Sequence, residues 1–153
     1  FKLFSLLIMI LVPSVAFGNV IDKLNEAGKF VKLNETLSKA GLVENLKGNG
    51  PFTVFAPLDD AFAAISAQTY YGLLREENKD KLVKILGRHV FAKKITSSEI
   101  DGEIKLKAIN GEEITIKKVN GIVYINEAEV VTADVEVSNG VIHFINRVLQ
   151  PLQ

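Results

Sequence analysis

The side chains best suited to chemistry in this sequence are two histidines and one pair of neighbouring carboxylates. His89 follows an apolar helical pattern, His143 lies between two apolar residues, and Asp59-Asp60 comes shortly after Pro57. Metal sites usually bring three or four ligands together, and no spaced His, Asp or Glu motif links these residues. The chain has no cysteine, which excludes disulfides, thiol nucleophiles and Cys-ligated zinc. We therefore expect neither a metal nor another cofactor.

Serine-based and phosphate-binding chemistry also lack their usual sequence signals. The chain contains no G-x-S-x-G nucleophile elbow, and four of its eleven glycines fall in Asn-Gly pairs typical of turns, with no phosphate-binding loop. We therefore expect no enzyme and no catalytic residues. His143 is predicted to be a core histidine with a hydrogen-bonded ring. His89, at a helix C-terminus, is expected to favour the protonated ring and to tie that helix to the sheet.

Residues 1–18 have the pattern of a signal peptide. Lys2 precedes the apolar run Leu3–Val12, and Ala16-Phe17-Gly18 fits the small-residue rule for cleavage. Cleavage would leave residues 19–153 as one domain, with no cysteine for a lipid anchor and no hydrophobic C-terminal tail. The sequence thus predicts a secreted or periplasmic protein that is not anchored in a membrane.

Composition narrows the class of partner. The 18 basic and 18 acidic side chains give no net charge, whereas nucleic-acid-binding domains usually carry a basic excess. Hydrophobic residues make up 48% and charged residues 24%, values typical of a globular domain. We expect no nucleic acid among the partners.

The first half of the chain shows the three- and four-residue spacing of amphipathic helices. A longer helix is predicted to carry its apolar face through to Val90. Between the helices, the β-branched and aromatic segment Phe52–Ala56 is predicted to be a strand ended by Pro57, and Asp59 or Asp60 is predicted to cap the short helix that follows. The apolar helical positions before that strand are Ile21, Leu24, Phe30, Leu33, Leu37 and Ala40.

The second half changes to the alternating pattern of strands. Asn-Gly pairs at 110–111, 120–121 and 139–140 predict turns between them. Val141–Ile145 is apolar on both faces, which places it in the middle of the structure. Helices followed by a meandering sheet indicate the α+β class. Further strands are predicted at 104–108, 114–117, 122–125, 130–131 and 135–137.

Two segments resemble the signatures of the fasciclin domain. Phe52–Phe62 is similar to the first signature, Asn139–Leu149 is similar to the second, and Leu86–Val90 matches the central histidine segment. The resemblance implies a wedge-shaped β-sandwich with N-terminal helices packed against it, and an adhesion role without catalysis. Leu58 replaces the usual Thr or Ser, so an aspartate must supply the helix cap. The motif residues that the resemblance makes structural are Thr53, Phe55, Pro57, Asp59, Asn139, Gly140 and His143.

The same resemblance implies that Arg88, His89 and Val90 contact a partner. We expect that partner to be an extracellular or cell-surface protein, with Arg88 exposed and supplying contact energy. The alternative is a secreted protein that binds carbohydrate or a small ligand. A single domain also needs two contact surfaces, or weak self-association, to promote adhesion.

Three lysines are predicted to project from one face of a hairpin. Lys105, Lys107 and Lys117 would form either a solvated face that discourages edge pairing or a patch for an anionic polysaccharide or lipid headgroup. The nearby Glu103, Glu112 and Glu113 dilute that patch and favour the solvated face.

Overall fold

The computed structural model describes residues 18–149 as helices followed by strands, which confirms the α+β class. All but one residue of the predicted signal peptide falls outside this range. No helix within the range is long and apolar enough to cross a membrane. The helices are α1 Val20–Ala27, α2 Val31–Ala40, α3 Val43–Leu46, α4 Asp59–Phe62, α5 Ala67–Leu73 and α6 Lys79–Gly87. The strands are β1 Phe52–Pro57, β2 Val90–Phe91, β3 Glu103–Lys107, β4 Glu113–Val119, β5 Ile122–Ile125, β6 Ala128–Val137 and β7 Gly140–Ile145.

The strands are hydrogen-bonded in the order β2-β1-β7-β6-β5-β4-β3. Strands β1 and β7 pair in parallel, and the other neighbours pair antiparallel. The central position of β7 confirms the prediction made from its two apolar faces. The two strands expected at 130–131 and 135–137 form the single strand β6, which is bulged: its register shifts on both sides of Thr132, and Asp134 has φ 61°.

Two hydrophobic cores lie on opposite faces of β1 and β7. The helices pack on one face, where Leu24, Leu37 and Leu86 join Val54 and Ile142 in one cluster. On the other face, a second cluster joins β1 and β7 to β4 and β5 across the interior. The sheet therefore folds over its own second core, with helices outside the first, and side chains of β1 and β7 alternate between the two. The second cluster includes Phe55, Phe91, Ile114, Ile116, Val123, Ile125 and Ile145.

Local signals set most of the turns and helix ends. Asn120 and Gly121 both have positive φ, 53° and 83°, and join β4 to β5 as the type I′ turn that an Asn-Gly pair favours. At the start of β7, a Cβ on Gly140 would lie 1.9 Å from the Phe52 carbonyl oxygen, so only glycine allows β1 to approach there.

The long helix α6 ends earlier than its apolar pattern predicts. It ends at Gly87 and not at Val90, because His89 N–H bonds to Leu86 O in a tighter turn and Val90 then pairs with Val54. The apolar residues after Gly87 also join the core, but they do so from strand β2. The apolar pattern alone therefore did not show where the backbone changes from helix to strand.

Candidate functional site

His143 lies on β7 with 1% of its surface exposed. Its Nδ1 accepts a hydrogen bond from the Asp134 backbone N–H at 3.1 Å, and its Nε2 donates to the Ile95 carbonyl at 2.7 Å. The ring stacks on Phe55 with centroids 5.0 Å apart. Burial lowers the pKa of His143 below its ordinary value, so the ring is neutral at pH 7. The predicted core histidine with a hydrogen-bonded ring is confirmed.

Thr53 and Asp134 fix the loop that covers His143. Thr53 Oγ1 donates to the Lys93 carbonyl at 2.5 Å and accepts from the Ile95 N–H at 2.8 Å. Asp134 accepts from Ser97 twice, from its N–H at 2.8 Å and its hydroxyl at 2.5 Å. Partial burial opposes ionisation of Asp134, but the bonds from Ser97 outweigh it and lower the pKa.

A serine, a carboxylate and a histidine are close together here, but they are not arranged as a nucleophile with its general base. They are Ser97, Asp134 and His143. The serine hydroxyl donates to the Asp134 carboxylate, and both nitrogens of the imidazole bond to backbone groups, so the histidine does not bond to the serine as it does in a catalytic triad. Between residues 18 and 149, no group of three or more His, Asp or Glu side chains is placed to hold a metal ion. The sequence prediction missed Ser97 and Asp134, although Thr96 and Glu99 around Ser97 form a capping box whose spacing is visible in the sequence.

His89 is also buried, and it joins three parts of the chain. Its Nδ1 donates to the Ile85 carbonyl at 2.8 Å, and its Nε2 accepts from the Leu149 N–H at 2.9 Å. Its own carbonyl accepts from the Phe55 N–H at 2.8 Å, which ties the end of α6 to β1 as expected. Burial lowers the pKa of His89 to about 4. The expectation that the helix end would favour a protonated ring is wrong, because desolvation outweighs the helix dipole there.

Arg88 is far less exposed than the sequence suggested. Its side chain is 11% exposed and forms an ion pair with Glu112 Oε1 at 2.5 Å. Val90 lies in β2 with 2% of its surface exposed. The expected exposure of Arg88 is therefore wrong, and His89 and Val90 are closed off from a partner in this conformation. The partner-binding role of the segment stays a prediction.

Asp59 caps a helix, but not the one expected. Its two carboxylate oxygens accept from the Lys32 N–H at 2.9 Å and the Val31 N–H at 3.3 Å, at the start of α2. Helix α4 has Leu58 at its N-cap, with no side-chain cap hydrogen bond. The capping prediction was wrong because the recipient N–H groups lie far from Asp59 in the sequence. Pro57, at the end of β1, pairs with Ile145.

Asn139 joins the second signature segment to the N-terminal helices. Its Oδ1 accepts from the Val20 N–H at 3.0 Å, and its Nδ2 donates to the Leu46 and Gly48 carbonyls, both at 2.8 Å. The side chain is buried and fully hydrogen-bonded. Asn139 therefore holds α1, the end of α3 and the start of β7 together.

The three predicted lysines lie on an exposed face that also carries acids. We define the outer face as the solvent side of β3, β4 and β5. On it, Lys117 lies opposite Glu103 and Lys107 lies opposite Glu113. Two of the three lysines thus have a carboxylate as direct cross-strand neighbour, which favours a solvated mixed-charge face over an anion-binding patch. The outer face consists of Glu103, Lys105, Lys107, Glu113, Thr115, Lys117, Val119, Ile122 and Tyr124.

Comparisons with known proteins agree on one family. The family model described as Fasciclin domain matches residues 28–151. Protein sll1483 of Synechocystis is 50% identical over 123 residues, or 80% of this chain. The transforming growth factor-beta-induced protein ig-h3 of Sus scrofa is 36% identical over 134 residues, or 88% of this chain.

A solved structure shows the same fold. A FAS1 domain pair from the insect cell adhesion molecule Fasciclin I matches with a TM-score of 0.77 over 88% of this chain, at 20% identity. The chain spans 51% of that structure, 67% of the Synechocystis protein and 19% of the Sus scrofa protein. The similarity thus covers one domain of larger molecules in two of these cases.

Proposed function

The chain belongs to the fasciclin domain family, and from that premise we propose that it is an extracellular adhesion or protein-interaction module that acts by binding. The observation that carries the proposal is the family match over residues 28–151. The structurally similar FAS1 pair comes from a molecule named for cell adhesion, which supports the same role here. We propose that the partner is an extracellular or cell-surface protein.

The bonding of the histidines supports binding over catalysis. Both ring nitrogens of His89 and of His143 bond to backbone groups, and both rings are buried. A general base needs a free nitrogen within reach of the substrate proton. These histidines instead hold loops and strand ends in place.

Arg88 is the residue through which the central histidine segment can reach a partner, since His89 and Val90 are buried. Two variants separate contact from stability. Arg88→Ala removes both the ion pair and the guanidinium, whereas Glu112→Gln breaks the ion pair and leaves the guanidinium present. If Arg88 contacts the partner, Arg88→Ala weakens attachment and Glu112→Gln does not. Equal loss in both variants would assign Arg88 to folding alone.

The adhesion role itself is tested by deleting the gene from the cells that normally produce the protein and measuring how well those cells attach. We expect attachment to fall, and to return when the wild-type protein is added back. Attachment unchanged by deletion would contradict the proposal. When variants are added back in the same way, the Glu112→Gln protein serves as the matched control for the Arg88→Ala protein.

Export is a separate part of the proposal. We propose that residues 1–18 are a cleaved signal peptide and that the domain is secreted or periplasmic. Mass spectrometry of the protein from its native cell should give Asn19 as the first residue. An intact N-terminus on protein recovered outside the cytoplasm would be the contrary result.

A further inference from the structure

Strand β3 forms one edge of the sheet, and its outer side is open within residues 18–149. Gly102 O accepts from the Lys118 N–H at 2.8 Å, and Ala108 N–H donates to Glu112 O at 2.9 Å. Because hydrogen-bonded pairs alternate along an antiparallel ladder, the even-numbered residues of β3 bond to β4. The N–H and C=O groups of Glu103, Lys105 and Lys107 therefore point away from the sheet.

The two edges of the sheet differ in how they are protected. Edge strand β2 has only two residues, and its Val90 carbonyl accepts from the Ile109 N–H at 2.9 Å. Strand β3 has five residues, pairs with β4 in a continuous register and contains no proline. An edge of this length and regularity can template another strand, and its remaining protection is the charge of its side chains.

The charges along β3 suit a second copy of β3 running in the opposite direction. Glu103, Lys105 and Lys107 project from the outer face, so the strand is acidic at its start and basic at its end. An antiparallel copy in full overlap places Glu103 of each chain beside Lys107 of the other. Within each chain, Glu103 already lies opposite Lys117, and Lys107 opposite Glu113.

We propose that two copies of this chain associate through β3, antiparallel about a twofold axis at Lys105. In the continuous sheet of this dimer, neighbouring side chains on the outer face then alternate in charge from strand to strand. Their order is Lys117, Glu103, Lys107 of the second copy and Glu113 of the second copy. The open N–H and C=O groups of Glu103, Lys105 and Lys107 pair with those of the other chain, and the half-buried Ile104 meets Leu106 of the second copy. The two Lys105 side chains face each other, which weakens the dimer.

Position 105 gives a test with opposite outcomes from two substitutions. Lys105→Ala removes the repulsion at the axis and should tighten the dimer. Lys105→Pro removes an outward N–H that β4 does not use, and its ring obstructs the second strand, so it should abolish the dimer while β3 stays paired with β4. Sedimentation equilibrium of the purified protein from about 10 μM to about 1 mM measures both effects. Circular dichroism and melting establish that each variant is folded.

Charge exchange provides a second test that keeps the backbone intact. Glu103→Lys or Lys107→Glu alone should raise the dimer dissociation constant at least about tenfold, because the twofold axis applies each repulsive pair twice. Combining the two should restore dimerisation. Lys81→Glu, on the exposed side of α6, makes the same charge change as Lys107→Glu and should have no effect.

A folded wild-type protein that stays monomeric at the highest concentration overturns the proposal. So does a dimer that responds to neither Lys105→Pro nor the charge exchange; if Lys105→Pro does not fold, the charge exchange alone decides. The inference does not depend on the proposed adhesion role, because it is measured on the purified chain. Monomeric protein that still supports attachment would reject this surface alone, and dimeric protein without effect on attachment would reject the adhesion role alone.

Discussion

His89 and His143 hold their surroundings only while their rings are uncharged. Nε2 of His89 accepts from the Leu149 N–H, and Nδ1 of His143 accepts from the Asp134 N–H. A proton on either acceptor would place two donors against each other inside the protein. The fold is therefore linked to pH through both side chains.

We expect the free energy of unfolding to be highest above pH 6.5 and to fall as the pH drops from about 6.5 towards 4. The unfolded chain protonates its histidines near pH 6.5, while the folded chain holds the pKa of His89 at about 4. Over that window the unfolded state binds more protons, so acid destabilises the fold, by about 3 kcal/mol for His89 alone at pH 4. The lowered pKa of His143 acts in the same direction. Urea unfolding at several pH values measures the effect.

The control for this pH dependence is His89→Gln, which keeps a neutral donor and acceptor at the same position. The variant should be less stable at pH 7 and lose part of the decline between pH 6.5 and 4. A wild-type free energy of unfolding that is flat from pH 7 to 5 would show that the rings titrate normally in the folded state.

At the residue scale, the sequence predicted the properties of a side chain that depend on residues close to it in the chain. The strand around His143 is apolar on both sides, and its buried, hydrogen-bonded ring followed from that pattern. The exposure of Arg88 did not follow, because its partner Glu112 comes from a hairpin beyond β3. The neutral ring of His89 likewise depends on burial, and the N–H groups that bond to His89, those of Phe55 and Leu149, come from parts of the chain far away in the sequence.

At the element scale, α2 depends on a carboxylate that lies outside it. We expect Asp59→Ala to lower the free energy of unfolding by about 1 kcal/mol, because the Val31 and Lys32 N–H groups lose their acceptor. Asp60→Ala is the matched control: its side chain is exposed and it is the same type of residue one position along. Equal effects of the two substitutions on chemical denaturation would show that Asp59 does not act as a cap.

The elements themselves were predicted well where their signals are local. Asn120-Gly121 has the backbone conformation that its sequence favours, so the β4–β5 hairpin followed directly. Strand β6 was read as two strands because its bulge around Asp134 interrupts the alternation of buried and exposed residues. Helix α5 was not predicted, although Ser66 caps it by accepting from the Thr69 N–H.

At the scale of the whole molecule, Asn139 connects the helical layer to the sheet. We expect Asn139→Ala to cost about 2–3 kcal/mol, because the Val20 N–H and the Leu46 and Gly48 carbonyls lose a buried partner. Asn146→Ala is the control, since Asn146 is exposed and, within residues 18–149, its side chain accepts a single hydrogen bond, from the Glu129 N–H. Thermal melting should separate the two variants clearly. A loss no larger for Asn139→Ala than for Asn146→Ala would refute this role.

The two signature segments identified the family and hence the overall fold, because both form the central strands and their connections. The sequence could not reveal how far the segment around His89 is buried, since that depends on how β2 and the end of the chain close over it. Which residues can contact a partner depends on which side chains remain exposed after the whole domain has folded.

The parallel pairing of β1 with β7 has a consequence for synthesis. Strand β1 is made early, yet one of its two neighbours is the last strand of the domain, and β2 covers only a short part of the other side. A ribosome must therefore complete almost the whole domain before the middle of the sheet can form. Until β7 emerges, one edge of β1 has no strand to pair with, and the nascent chain depends on its helices or on chaperones to avoid misassociation.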